Sequence, residues 1–162
     1  MSSTIVDGFA FCRGGEQRAG ATPVTEFARL AAETANPSGA VRWSFQGGRH
    51  PEGLPMLSMT VQGEVRLICQ RCLTPFSQPI ESQSRLVLAA DEVQAEQIEE
   101  RLEDENIDVI VGSTTMDLLM LVEDEALLSL PLSPRHEVCP EGAQLTVDSK
   151  LESPFAILKK LR

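Results

Sequence analysis

The sequence predicts a single α+β domain over residues 1–162, in which an antiparallel sheet with a central long hairpin packs against one core helix and smaller helices. A chain of 162 residues can bury a sizeable core as one domain. Apolar residues recur at odd positions through residues 57–69, as in a half-buried strand. Residues 118–130 are mostly apolar and stop at Pro131, which predicts a core helix.

The alternating strand and the segment after it predict the central hairpin. Residues 57–69 run into the turn "QRCLTP", and "PFSQPIESQSRLVLA" then returns as a partner strand. We therefore expect a hairpin over residues 57–88, with Cys69 and Cys72 at its tip. Gly63 interrupts the apolar face, which predicts either a β-bulge or a close approach of another backbone.

The segment before the hairpin predicts two strands and one small helix. Residues 5–11 and 41–45 have strand character, and the first of these stretches is followed by the loop "RGGEQRAGATP". A helix is expected near residues 25–35. Thr22 is predicted to cap it, because Pro23 suits the first helical position.

The core helix is predicted over residues 115–130. Thr114 is expected to cap it, with Asp117 at the capping-box position three residues later. Apolar residues cover most of its circumference, so we expect it in the centre of the core. Glu123, Asp124 and Glu125 should emerge on its outer side. This triplet is either a solvated patch or a contact for a partner or a cation.

Charge and composition restrict the classes of ligand. The net charge is -10 and the sequence pI is about 4.6, so the average field repels phosphate and favours a basic protein, such as a ribosomal protein. Aromatic residues make up 4% of the chain and Tyr is absent, which disfavours base stacking on single-stranded RNA.

Two terminal or peripheral segments carry most of the charge asymmetry. Residues 91–106 are strongly acidic with a thin apolar stripe, which predicts a marginal helix or a mobile insertion. Residues 153–162, "SPFAILKKLR", form a basic apolar tail. The tail is expected either to dock on its own domain or to serve as an arm for RNA or a partner.

The sequence also predicts a cytoplasmic location with no membrane contact. The N-terminus lacks a basic segment followed by a sustained apolar core, and no stretch approaches the length of a spanning helix. The four cysteines are therefore expected to stay reduced rather than to form a disulfide framework.

Two cysteines three positions apart, Cys69 and Cys72, have the spacing of half a zinc site. His136 and Cys139 would complete a Cys3His set, because zinc binds four thiolate and imidazole ligands in closed sites. The gap of 64 residues (136 − 72 = 64) requires a fold that joins hairpin tip and helix end. The alternatives are buried thiols that only pack, and a redox pair activated by Arg71.

No catalytic set competes with these interpretations. The chain contains no GxSxG, P-loop, HExxH or dinucleotide fingerprint, and its second histidine, His50, lies in a turn-like stretch beside Pro51. We therefore predict that the protein is not an enzyme and that it takes no small-molecule substrate. Apart from zinc, no cofactor is expected.

The chain resembles the YceD family of bacteria and plastids in four sequence motifs, which occur in this order: "ICQRCLTPF", "DLLMLVEDEALLSLPLS", "PRHEVC" and the closing "SPFAIL". The resemblance implies a role in the accumulation of large-subunit (23S) rRNA, and the gene of this family commonly neighbours that of a small zinc-ribbon protein of the large subunit. It implies interest in the motif positions Cys69, Arg71, Cys72, Glu123, Asp124, Glu125, Pro131, His136 and Cys139.

The charge and the resemblance together predict a ribosome biogenesis factor. In this hypothesis an acidic adaptor binds a basic large-subunit protein or a pre-ribosomal particle. The alternatives are direct rRNA binding through the basic tail, Arg66 and Arg71, and a zinc or thiol redox protein that uses the CxxC pair. The residues expected to meet a partner are Arg71, Glu123, Asp124, Glu125, Lys159, Lys160 and Arg162.

Overall fold

The structure is a computed structural model that describes residues 4–102 and 106–140. In chain order its elements are β1 (Ile5–Val6), α1 (Gly8–Gly14), β2 (Gln17–Pro23), a 3-10 turn (Val24–Glu26), α2 (Ala28–Glu33), β3 (Ala40–Arg49), β4 (Pro55–Ile68), β5 (Pro75–Ala89), α3 (Glu92–Arg101), β6 (Asp108–Val111), β7 (Met116–Asp117) and α4 (Leu118–Leu128).

Five strands form one sheet in the order β2-β3-β4-β5-β6, and β1 pairs with β7 beside it. The predicted α+β class and the central hairpin are confirmed, since β4 and β5 pair without interruption from Met56 opposite Val87 to Ile68 opposite Pro75. The sheet is mixed rather than wholly antiparallel. β6 runs parallel to β5 because α3 carries the chain back along the sheet between them.

The alternation along β4 places one face of the sheet in the core. Leu57, Val61 and Val65 are buried on this inner face, as their spacing predicts. Phe11 of α1, Leu30 of α2, and Leu118 and Val122 of α4 belong to the same core cluster. The opposite, outer face is mostly polar. Among the described residues, the helix α3 covers this face near β5 and β6.

Gly63 lies in an unbroken register opposite Ile80, so the predicted bulge is wrong and the alternative of a close backbone approach holds. A Cβ atom at Gly63 would lie 3.3 Å from the carbonyl oxygen of Ala40. The glycine therefore lets β3 and β4 approach each other where a side chain would crowd them.

The N-terminal prediction needs correction. The strand over residues 5–11 is limited to β1, and a helix begins at Gly8 because Asp7 caps it, its Oδ1 accepting from the Ala10 amide at 3.0 Å. The expected loop "RGGEQRAGATP" contains β2. Gly15, at φ 61°, ends α1 in the left-handed conformation and so redirects the chain into this strand.

The small helix near residues 25–35 is confirmed as the 3-10 turn followed by α2, but its cap differs from the prediction. Thr22 is the last buried position of β2, and its hydroxyl accepts a hydrogen bond from the indole Nε1 of Trp43 at 3.0 Å. Burial of the indole requires such an acceptor, so tertiary packing uses the hydroxyl that the sequence offers as a helix cap.

The core helix α4 begins three residues later than predicted. Asp117, whose Oδ1 accepts from the Leu119 amide at 3.0 Å, is its N-cap in place of Thr114. Central burial is also wrong: Met120 is 59% exposed and Leu128 is 82% exposed. The helix covers the sheet with one face only and presents the opposite face to the surface.

Most of the acidic segment forms the helix α3, which packs on the outer face of the sheet. Asp91 caps α3 by accepting from the Gln94 amide at 2.8 Å, and Ile98 is buried against Val87 and Ala89 of β5. A thin apolar stripe is therefore enough to seat this helix on the outer face. Residues 103–105 of the segment and the tail 153–162, with Lys159, Lys160 and Arg162, lie outside the described residues.

Among residues 4–102 and 106–140, no helix is long and apolar enough to cross a membrane.

Candidate metal centre

The tip of the β4–β5 hairpin holds two of the predicted donor residues. The Cys69 amide donates to the carbonyl oxygen of Thr74 at 3.0 Å, and the Leu73 amide donates to that of Cys69 at 2.8 Å. These bonds fold the four residues from Cys69 to Cys72 into a tight turn. Leu73 closes the turn in the left-handed region, at φ 59°.

The segment that follows α4 runs back along this tip. The Gln70 amide donates to the carbonyl oxygen of Pro134 at 2.9 Å, and the Gln70 side chain accepts from the Ser133 hydroxyl at 2.9 Å. Arg71 donates to the carbonyl oxygen of His136 at 2.5 Å. Arg71, expected to meet a partner, is thus placed where it holds the second half of the site against the first.

The donor atoms of Cys69, Cys72, His136 and Cys139 all lie within 4.8 Å of one another. The Sγ atoms of Cys69 and Cys139 are 3.9 Å apart, and Cys72 Sγ lies 3.3 Å from His136 Nδ1. Tetrahedral zinc requires edges of about 3.8 Å between two sulfurs and about 3.5 Å between sulfur and nitrogen. The four residues therefore fit zinc in both donor type and spacing.

Burial and hydrogen bonding divide the charge of the cluster unevenly. Burial of Cys69 opposes its ionisation, but hydrogen bonds from the backbone of Cys72, His136 and Arg71 and from the His136 side chain lower its pKa to about 5. Burial and hydrogen bonding with the other two thiols raise the pKa of Cys139. Burial likewise raises the pKa of Cys12, which lies outside the cluster. One thiolate is thus ready to receive a cation.

The surroundings orient His136 toward the sulfurs. Its backbone amide donates to Cys69 Sγ at 3.4 Å, and its ring lies 5.0 Å from the ring of Phe76 at a tilt of 43°. Cys72 Sγ is also 3.0 Å from the hydroxyl of Thr74. A second shell of this kind fixes the direction of metal ligands before the ion arrives.

This arrangement suits a structural ion better than thiol chemistry. Cys69 is fully buried and Cys72 is 7% exposed, whereas a reactive cysteine must be reached by its substrate. The four donor atoms lie within 4.8 Å of one another, and four thiolate and imidazole ligands are the set of a closed structural zinc site.

The three side chains of the predicted acidic triplet all form contacts with other residues of the same chain. Glu123 accepts from the Arg29 and Leu30 amides at 2.7 and 3.2 Å, and its other oxygen accepts from the Arg29 guanidinium at 2.9 Å. Asp124 pairs with the same guanidinium at 2.7 Å, and Glu125 accepts from the Ser82 hydroxyl. Arg29, which the sequence did not single out, is the residue that joins α2 to α4.

A hollow of about 660 Å³ lies elsewhere, on the outer face of the sheet. Arg42 and Arg66 line it together with Glu64 and Glu81, so its formal charge is balanced. Among the described residues, neither arginine forms an ion pair. None of the four donor residues reaches this hollow.

Comparisons with known proteins agree with the motifs at the hairpin tip and the helix end. Residues 57–162 match the family model described as "Large ribosomal RNA subunit accumulation protein YceD". A protein of that name from Haemophilus influenzae is 32% identical over 143 residues, which is 83% of this chain and 80% of the relative. No solved structure matches the chain. The matched region includes the hairpin tip and all four donor residues, and on these matches the chain belongs to the YceD family.

Proposed function

We propose that this protein is a non-enzymatic factor of ribosome biogenesis in the cytoplasm that supports the accumulation of large-subunit rRNA. The observation that carries the proposal is the family membership, because the relative from Haemophilus influenzae is named for this accumulation. Its mode of action is that of an acidic adaptor, which binds a basic ribosomal protein or a pre-ribosomal particle so that assembly succeeds and the rRNA survives.

The charge distribution supports the adaptor. Glu92, Glu96, Glu99 and Glu100 are exposed on α3, whose one basic residue, Arg101, pairs with Glu52 at 2.8 Å. A surface of one sign attracts a basic partner over roughly 8 Å at physiological ionic strength and speeds its association. Electrostatic attraction thus favours basic ribosomal proteins over bare RNA as the partner that this surface first contacts.

We further propose that Cys69, Cys72, His136 and Cys139 hold one zinc ion with a structural role. Their spacing and burial support zinc, and their positions show what the ion would connect: the hairpin tip and the segment beyond α4. The ion would hold the segment that ends at Cys139 against the hairpin tip. No reaction step is assigned to it.

The rRNA role is tested by the ratio of large- to small-subunit rRNA in cells that lack this protein. Restoring the wild-type chain should return a lowered ratio to normal. An unchanged ratio in the deletion would contradict the proposal. Cys69→Ser/Cys72→Ser should fail to restore it if zinc is needed, whereas the matched variant Cys12→Ala, which changes a buried thiol outside the cluster, should restore it.

The adaptor is distinguished from a direct rRNA binder by pull-down of purified basic ribosomal proteins and of bare rRNA at physiological salt. The adaptor should retain the proteins and release the rRNA. Tight rRNA binding with a steep salt dependence, lost when Lys159, Lys160 and Arg162 are neutralised, would favour the second mode instead.

A further inference from the structure

Strand β2 forms one outer edge of the five-stranded sheet. All of its residues except Thr22 are exposed or half-buried. Across the described ranges 4–102 and 106–140, its backbone makes no backbone hydrogen bond apart from the ladder with β3. One side of this strand therefore presents a row of donors and acceptors on which another strand can pair.

The edge lacks the features that normally prevent such pairing. Its register is continuous from Gln17 opposite Gln46 to Pro23 opposite Ala40, so no bulge twists it away. The proline stands at the very end of the strand. The one charge, on Arg18, pairs with Glu16 at 3.2 Å. The centre of the strand is bare Ala-Gly-Ala.

Packing of Trp43 explains why a glycine, Gly20, stands at the centre of β2. A Cβ atom on Gly20 would lie 2.7 Å from Cζ2 of Trp43, so only glycine fits beneath the indole. The six-membered ring of Trp43 therefore extends over β2 toward the open edge, and the side chain is 9% exposed. Trp43 is the single tryptophan of the chain, which makes its fluorescence a reporter of that edge.

We propose that β2 pairs antiparallel with β2 of a second copy of this chain, centred on Gly20, to give a continuous ten-stranded sheet. In this pairing Ala19 of each copy lies opposite Ala21 of the other, and Gly20 faces itself. Arg18 lies opposite Thr22, so no like charges meet across the two-fold axis. The small-residue pattern is thus complementary to itself, as a two-fold interface requires.

The net charge of -10 does not oppose this contact strongly, because the acidic helix α3 lies near the edge of the sheet opposite β2. The helix α3 packs on β5 and β6, three and four strands away from β2. At about 4.8 Å per strand, the seven to nine strand spacings between the two acidic helices of a pair place them about 34–43 Å apart, well beyond the screening length of about 8 Å. The remaining repulsion predicts tighter association at higher salt.

Analytical ultracentrifugation of the full chain tests the proposal. The mean mass should rise with protein concentration from 17.7 kDa toward twice that value, and more readily at higher salt. Ala19→Glu/Ala21→Glu places like charges directly opposite each other and should weaken association about tenfold or more. Ser58→Glu/Gln83→Glu adds the same charge to the outer face of inner strands and should leave association near the wild-type value.

Cross-linking supplies a test that does not depend on weakening the contact. An equal mixture of Ala19→Cys and Ala21→Cys chains should form a mixed disulfide at the pairing register, and either chain alone should form much less. Trp43 fluorescence should change over the same concentrations as the mass. A monomer at every concentration, or equal association of both glutamate variants, would overturn the proposal. So would protection of the β2 amides that appears only when a ribosomal protein is added, since the edge would then receive a partner's segment.

Discussion

Two polar clusters in this molecule each join segments that are far apart in sequence, but only one is satisfied by its own side chains. At the α2–α4 contact, the Glu123 carboxylate receives four hydrogen bonds from Arg29 and Leu30. At the hairpin tip, three sulfurs and one imidazole face one another with only weak thiol contacts between them. The first cluster is complete as a structural contact, and the second is the one in which we propose a zinc ion.

Removal of zinc should produce the largest effect, because it acts only on the incomplete cluster. Where free zinc exceeds its Kd about 1,000-fold, binding adds about 4 kcal/mol to the free energy of unfolding. Excess chelator should therefore lower the Tm of this chain by about 10 °C, given the size of the domain. The measurement is thermal unfolding with zinc stoichiometry determined by elemental analysis.

The matched variants for this test are Cys139→Ser and Cys12→Ala. Cys139→Ser removes one ligand at a half-buried position and should abolish both the bound zinc and the response to chelator. Cys12→Ala should be less stable from lost packing yet keep one zinc per chain. Zinc retained by Cys139→Ser at the level of Cys12→Ala would contradict Cys139 as a ligand, and a wild-type chain that binds no zinc would contradict the metal site.

Breaking the satisfied cluster should have a smaller but clear effect. Glu123 has a side chain only 12% exposed, so Glu123→Gln leaves the buried Leu30 amide and the Arg29 donors poorly paired and should lower the free energy of unfolding by about 2 kcal/mol. Asp124→Asn removes the neighbouring charge, whose side chain is 49% exposed, and should cost less than about 0.5 kcal/mol. Urea unfolding measures both, and equal losses would show that burial does not decide the difference.

The Glu123 carboxylate should also make the free energy of unfolding depend on pH in acid solution. Burial of Glu123 opposes its ionisation, but hydrogen bonds from Leu30 and Arg29 hold its pKa below the ordinary 4.5. Between these two values the unfolded chain binds more protons, so the stability that Glu123 provides is complete above pH 4.5 and is lost as pH falls through the folded pKa. The gap in unfolding free energy between wild type and Glu123→Gln should therefore shrink below pH 4.5; a constant gap would contradict the shift.

The two clusters differ also in how far the sequence predicts them. All four donor residues of the proposed zinc site are predicted from residue type and spacing, because zinc accepts few kinds of ligand and a CxxC turn supplies two of them. The sequence leaves open whether the two pairs of donors, 64 residues apart, lie close together in space. The fold brings them together by placing the segment after α4 against the hairpin tip. The identity of the ion still rests on the donor set and its distances.

The role of the acidic triplet was less predictable from sequence. Carboxylates are frequent in this chain, so no local signal marks Arg29, 94 positions away, as the partner of Glu123. The helix α1 was missed for a similar reason, since "FAF" suits a strand and only the Asp7 cap indicates a helix. Periodicity predicted the hairpin well because its alternation extends over many residues, whereas short elements depend on tertiary contacts.

The hairpin turn offers the smallest effect and the finest test of its geometry. Leu73 is held at φ 59°, which costs a residue with a side chain about 1 kcal/mol, and the side chain is 56% exposed. Leu73→Gly relieves that strain but raises the conformational entropy of the unfolded chain, which lowers the stability by about 0.4–1 kcal/mol. We expect the glycine variant to equal or exceed wild type in urea unfolding by up to about 0.5 kcal/mol, while Leu73→Ala, which keeps the strain, falls slightly below wild type. If glycine is the least stable of the three, the exposed Leu73 side chain contributes packing that outweighs the strain of the turn.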